Sequence, residues 1–111
     1  MFKELERRKL TLPEVKKILE ERAAEGPLND IQRRTLEYAS RFSKVSYEDA
    51  LALRRELEKL NIEEPYIVQI INIMPETIEE LRTIFYKKYP ETELLRKILE
   101  ILNKYRKKEK Q

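Results

Sequence analysis

Apolar residues recur along this chain at three- and four-residue spacing, in runs punctuated by prolines and capping residues. Val15, Ile18 and Leu19, with Arg22/Ala23, mark one face of a helix predicted from about Pro13 to Ala24. Gly26–Pro27 ends it, glycine being preferred just past a helix C-terminus. Asn29, with Gln32 three residues on, opens a second helix that runs to Ser43 or Lys44. Its apolar positions are Ile31, Thr35, Tyr38, Ala39 and Phe42. Ser46 with Asp49 starts a third, striped by Tyr47, Ala50, Leu53, Leu57 and Leu60 and stopped by Asn61. Pro65 sits in the first turn of a short helix through Ile73. Its "YIVQIINIM" is apolar on nearly all sides, which predicts the most buried piece of the chain. Thr77 and Glu80 cap a fifth helix, with Ile78, Leu81, Ile84 and Phe85 inward, ending before Pro90. Thr92 opens the last, carrying Leu95, Ile98, Leu99, Leu102 and Tyr105. The expectation is an all-α chain of about six helices.

One segment breaks the pattern. In "RKLTLPEV" (residues 8–15) Leu10 and Leu12 alternate around the β-branched Thr11, and Pro13 disfavours helical dihedrals at Leu12. This reads as a strand of three to five residues feeding the first helix. No second strand is legible to take its backbone groups, and a lone strand has no stability by itself. It is either a plain extended lead-in bonded to water or a strand that adds to the edge of another protein's sheet.

Composition narrows the function. Of 111 residues, 41% are apolar and 41% charged, which suits a helical protein with a narrow core and an ionised surface. No run approaches the roughly 20 apolar residues that cross a bilayer, and the N-terminus lacks a signal-peptide stretch, so a cytoplasmic location is expected. The absence of both Cys and His removes disulfides and the usual zinc, iron and copper ligands, and no cofactor is expected. It also removes the common base and the thiol nucleophile, and no glycine-rich loop is present to hold a phosphate. The doublets Glu20–Glu21, Glu63–Glu64 and Glu79–Glu80 remain, but neighbours on a helix point about 100° apart and do not converge on one atom. The chain reads as a non-enzyme.

Net charge is only +3, yet its distribution is uneven. Lys104, Arg106, Lys107, Lys108 and Lys110 face Glu109 alone within residues 103–111, a net +4. Residues 1–9 carry a net +2 from Lys3, Arg7, Arg8 and Lys9 against Glu4 and Glu6. A basic end on a slightly acidic body is compatible with phosphate contact. Arg82, Lys87 and Lys88, interleaved with Tyr86 and Tyr89, add cations beside aromatics, which can meet phosphates and stack on unpaired bases. Arg82, Lys87, Lys88, Lys104, Arg106 and Lys107 are therefore the RNA-contact candidates. At the other end, Leu10, Leu12, Val15, Ile18 and Leu19 form a long apolar edge that Tyr38 and Phe42 could join. With Thr11 they are the partner-contact candidates, because an uncovered edge of that size is unusual in a soluble monomer.

The succession "KLTLPEVKKILEERA", a capped helix pair, then "PYIVQIINIMPETIEELRTIFYKKY" resembles the F-type stalk protein of archaeal RNA polymerase, counterpart of the fourth-subunit stalk protein of eukaryotic RNA polymerase II. The resemblance covers roughly residues 8–105. Its most specific part is the Ile-rich short helix, Met74–Pro75, and Glu79–Glu80–Leu81–Arg82 with aromatics following. It implies a non-catalytic RNA polymerase subunit that clasps the E-type stalk protein of the same polymerase through its N-terminal strand and first helices, at residues 1–45. It implies a C-terminal helical domain of the helicase-and-RNase-D C-terminal type at 46–105, beside the RNA exit path, with the heterodimer binding nascent transcript. Pro13 stands where members of that family can have a polar cap, and the basic tail 106–111 lies beyond the pattern. The competing reading is a free-standing nucleic-acid-binding helical domain of the kind appended to helicases and nucleases. No membrane and no small-molecule substrate is expected as a partner.

Overall fold

Side-chain caps set most of the helix boundaries. In the computed structural model, which describes residues 10–86 and 90–110, the helices are α1 (Leu12–Glu25), α2 (Asp30–Phe42), α3 (Tyr47–Lys59), α4 (Glu64–Ile73), α5 (Ile78–Ile84) and α6 (Thr92–Lys110). The Asn29 side chain accepts the Gln32 N–H at 2.7 Å while the Gln32 side chain takes the Asn29 N–H at 3.0 Å, so two orphan donors at the start of α2 are satisfied reciprocally. Ser46 and Thr77 accept the Asp49 and Glu80 N–H groups, both at 3.1 Å, and open α3 and α5. Pro65 lies in the first turn of α4, where its missing N–H costs nothing. Asn61 ends the α3 turn in the left-handed region, φ 61°, a conformation that asparagine tolerates better than most residues.

The start of α1 differs from the expected strand. Leu12 is already helical and Thr11 is the N-cap. The Thr11 N–H and hydroxyl both donate to Glu14 Oε1, its carbonyl accepts from Val15, and the Leu12 N–H donates to Asn72 Oδ1 of α4 at 2.8 Å. Neither residue keeps a backbone donor for a neighbouring strand. Thr11-x-x-Glu14 is a helix-start signature with a proline in the first turn, and it outweighs the proline's bias against a helical Leu12. No strand occurs among the described residues; the part of the expected strand at residues 8 and 9 lies outside them. At the far end of α1, Gly26 sits at φ 170°, extended backbone that needs no glycine.

The main core is one cluster drawn from residues 45–102. Leu53 and Leu57 of α3, Ile67, Ile70 and Ile71 of α4, Leu81 of α5, and Leu95, Ile98 and Leu102 of α6 are essentially fully buried. Each such side chain contributes about 1.5–3 kcal/mol by leaving water. α3 is the hub, packing on α1, α4 and α6, while α5 bridges α4 and α6. α1 packs on both α3 and α2, with Leu19 and Ala39 fully buried. α5 is shorter than the spacing predicts. Phe85 leaves the helix with extended backbone and is buried against Tyr66, ring centroids 4.7 Å apart. The packing of one ring overrides a periodicity that would continue the helix.

Candidate functional site

α2 shows its apolar side to water. Ala39 and Gln32 face inward, whereas Ile31, Tyr38 and Phe42 are 60%, 57% and 44% exposed. The Tyr38 and Phe42 rings, one turn apart, lie 4.7 Å centroid to centroid, and the Arg41 guanidinium stands 5.8 Å from the Phe42 ring. From the opposite side comes Ile73 at the end of α4, 51% exposed. Leu12, Tyr38, Phe42, Lys44, Asn72 and Ile73 line an open groove of about 400 Å³ between α2 and the end of α4.

Two polar links tie the start of α1, beside this groove, to α3 and α4. Glu14 Oε1 receives the Thr11 N–H at 3.1 Å, the Thr11 hydroxyl at 2.8 Å and Arg54 Nη2 of α3 at 2.9 Å. Burial pushes the Glu14 carboxyl up, but the Arg54 and Thr11 hydrogen bonds and the Arg54 charge outweigh it and hold the group below its ordinary value of 4.5. The second link is Asn72, whose Oδ1 takes the Leu12 N–H and so fixes the tip of α1 against α4.

The candidate partner residues divide three ways. Thr11 and Leu19 are fully buried within the chain. Leu10, Val15 and Ile18 are half-buried. Leu12, Tyr38 and Phe42 come together on the groove. The sequence pattern did not indicate Ile73, Asn72 or Lys44. Ile73 lies seven residues after the buried Tyr66 and on the same face, so periodicity assigns it to the core. It is uncovered because α4 ends there: Met74 turns into the left-handed region at φ 50° and ψ 63°, and the chain departs through the buried Pro75. A helix read as apolar on every side is thus open at its last residue.

The candidate RNA residues do not form one patch. Arg82 is exposed and reaches Thr92 Oγ1 at the start of α6, 3.4 Å away. Lys104 and Arg106 lie near the other end of α6, roughly 21 Å along the helix at 1.5 Å per residue. Lys104 pairs with Glu56 at 3.2 Å. Arg106 Nη2 donates to the carbonyls of Met74 at 3.0 Å and Pro75 at 2.7 Å, and Nη1 bonds Asn103. Its guanidinium thus satisfies acceptors left over where α4 ends. Lys87 and Lys88 lie outside the described residues, as does the side chain of Lys107. Tyr86 is exposed, with its ring edge-on to Tyr66 at 5.4 Å.

Among the described residues, the two carboxylates with displaced titration, Glu14 and Glu56, are not poised as general acids. The carboxyls of Glu14 and Glu56 are both held below their ordinary value, by Arg54 and Thr11 in one case and by Tyr105 and Lys104 in the other. A general acid needs the opposite shift. Among the described residues no acidic cluster could hold a metal ion, and no helix is long and apolar enough to cross a membrane.

Comparison with known proteins matches the family described as RNA polymerase Rpb4 over residues 6–106. The chain is 39% identical over 99 residues to DNA-directed RNA polymerase subunit Rpo4 of Methanocaldococcus jannaschii, covering 88% of this chain and 84% of that protein. It is 28% identical over 93 residues to the protein of the same name from Sulfolobus acidocaldarius, covering 81% and 82%.

Proposed function

The chain belongs to the RNA polymerase Rpb4 family, and from that premise we propose that it is a non-catalytic subunit of an archaeal-type RNA polymerase. It acts in the cytoplasm as the F-like half of a stalk heterodimer whose other half is the E-type stalk protein. The observation that carries this reading is the exposed apolar groove. Three large side chains, Tyr38, Phe42 and Ile73, stand open to water together around it. Residues 1–45 hold the partner, with Leu12, Tyr38 and Phe42 as its direct contacts and Thr11 and Leu19 as internal supports. Sheet pairing with the E-type protein is confined to residues before Thr11, whose own N–H and carbonyl are occupied. Residues 46–105 act as a helical domain of the helicase-and-RNase-D C-terminal type and place the stalk's outer face toward nascent RNA.

RNA contact falls on Arg82 with Lys87 and Lys88, and on Lys104 and Lys107 at the other end of α6. Arg106 contributes by fixing the end of α6 rather than by offering a free cation. The experiment that tests the reading mixes the purified full chain with an archaeal E-type stalk protein and measures mass by sedimentation. A 1:1 complex is expected. A chain that stays monomeric beside a folded E-type protein overturns it. Crosslinking of RNA to the assembled pair tests the nucleic-acid face: replacing Arg82, Lys87 and Lys88 by glutamine should reduce it several-fold, and unchanged crosslinking removes that contact.

A further inference from the structure

The residues that end α4 adopt a conformation their own sequence opposes. Met74 is a bulky residue at φ 50° and ψ 63°, where its Cβ crowds the carbonyl that follows. The proline after it favours extended backbone at Met74 instead. The Met74 N–H does close onto the Ile70 carbonyl at 2.7 Å, but backbone closure stops there, because Pro75 has no N–H to add. Nor does the last turn of α4 carry a basic residue to meet the negative end of the helix. α6 supplies the donors and the cation. Arg106 Nη2 donates to the Met74 and Pro75 carbonyls at 3.0 and 2.7 Å, and Nη1 is held by Asn103, one turn earlier on α6. Met74 belongs to the main core and Pro75 is fully buried, so the turn is gripped by its side chains and by one planar guanidinium.

Asn72 and Ile73 immediately precede this turn. Asn72 Oδ1 accepts the Leu12 N–H, and Ile73 is half exposed. If Met74 relaxed to extended backbone, its N–H would leave Ile70 and the last turn of α4 would fray, carrying both side chains with it. Resting on the heterodimer reading above, we propose that Arg106 is a positioning residue for partner recognition. It lines no part of the groove. From α6 it holds the strained Met74–Pro75 turn, and through that turn it sets where Asn72 and Ile73 stand. A cation that charge alone would assign to nucleic acid thus acts on the protein-binding side, and the C-terminal helix becomes part of what shapes that side.

Affinity of the full chain for an archaeal E-type stalk protein, measured by titration calorimetry on folded variants, tests the proposal. Arg106→Ala should weaken association at least ~10-fold. Arg106→Lys should weaken it by a smaller factor, because one ammonium does not reproduce the guanidinium's planar fork across two carbonyls. Tyr105→Phe is the control: it removes the bond to Glu56 from the same turn of α6 without touching the Met74 carbonyl, and should bind within ~2-fold of wild type. In NMR spectra of the free chain, the Ile73 methyl and Asn72 side-chain amide signals should shift in both Arg106 variants and stay in place in Tyr105→Phe. Tyr105→Phe binding as weakly as Arg106→Ala would reduce the effect to a general loosening of α6 and overturn the proposal, as would unmoved Ile73 and Asn72 signals. If Arg106→Ala does not fold, Arg106→Lys decides: wild-type affinity in that variant overturns the proposal. If the wild-type pair associates and the Arg106 variants bind equally well, the positioning role falls and the heterodimer stands. If the wild-type pair does not associate, both fall.

Discussion

One carboxylate oxygen, Oε1 of Glu14, accepts from Thr11 twice and from Arg54 once. It closes the first turn of α1 and ties that turn to α3. Both side chains of the Glu14–Arg54 pair are only 13–16% exposed, so removing the Glu14 charge takes a short ion pair from a little-hydrated guanidinium. Glu14→Gln is expected to destabilise the chain by about 2–3 kcal/mol in urea unfolding. Acid acts on the same group: its folded pKa is lowered below 4.5, so its contribution is complete above that pH and is lost as pH falls beneath it. Urea midpoints between pH 6 and pH 3 should drop more steeply for wild type than for Glu14→Gln. At the alkaline end the loss runs with rising pH instead. Tyr105 donates to Glu56 Oε2 at 2.5 Å, and that bond, with burial, pushes the phenol up to about 12. Its contribution is whole below the ordinary value of 10.0 and disappears as pH climbs from there to about 12. Tyr105→Phe should show no such alkaline loss in thermal melts.

At the scale of elements, most of the helix order could be read from the sequence because caps and prolines are local signals. Asn29–Gln32, Ser46–Asp49 and Thr77–Glu80 open helices where their spacing says they should. The departures come where a distant group intervenes. The first turn of α1 is completed by Asn72, sixty residues away, which no local reading could supply. α5 stops at Ile84 because Phe85 finds the Tyr66 ring. Gly26 resembled a left-handed helix stop, yet its φ of 170° is extended and a Cβ there would meet nothing within 4 Å. Gly26→Ala should therefore stabilise the chain by about 0.4–1 kcal/mol through the unfolded state, read as a raised Tm. Met74 is the opposite case, a bulky residue at φ 50° whose carbonyl is held by Arg106. Arg106→Ala is expected to cost about 1–3 kcal/mol by leaving the Met74 and Pro75 carbonyls short of a donor, and Arg106→Lys should recover only part of it.

Across the whole molecule, the candidate site was half legible. Tyr38 and Phe42 stood out because they share a stripe with Ile31 on a helix with few partners in this chain. Ile73 did not, since its exposure depends on where a helix ends rather than on its period. The molecule extends 47 × 34 × 22 Å, with a main bundle from α3 onward and a helix pair laid against it through α3. Phe42→Ser and Ile73→Ser both change residues that the fold leaves uncovered, so each should shift the stability of the isolated chain by less than about 1 kcal/mol while weakening capture of the E-type protein. The bond from the Leu12 N–H to Asn72 gives this shape a built-in gauge. Where the helix pair lifts from the bundle, that amide loses its acceptor and trades its proton for solvent deuterium; where the pair stays seated, exchange is slow. The exchange rate of a single amide thus tracks how often the two parts separate, and a ligand that clamps both should lower it without touching Leu12.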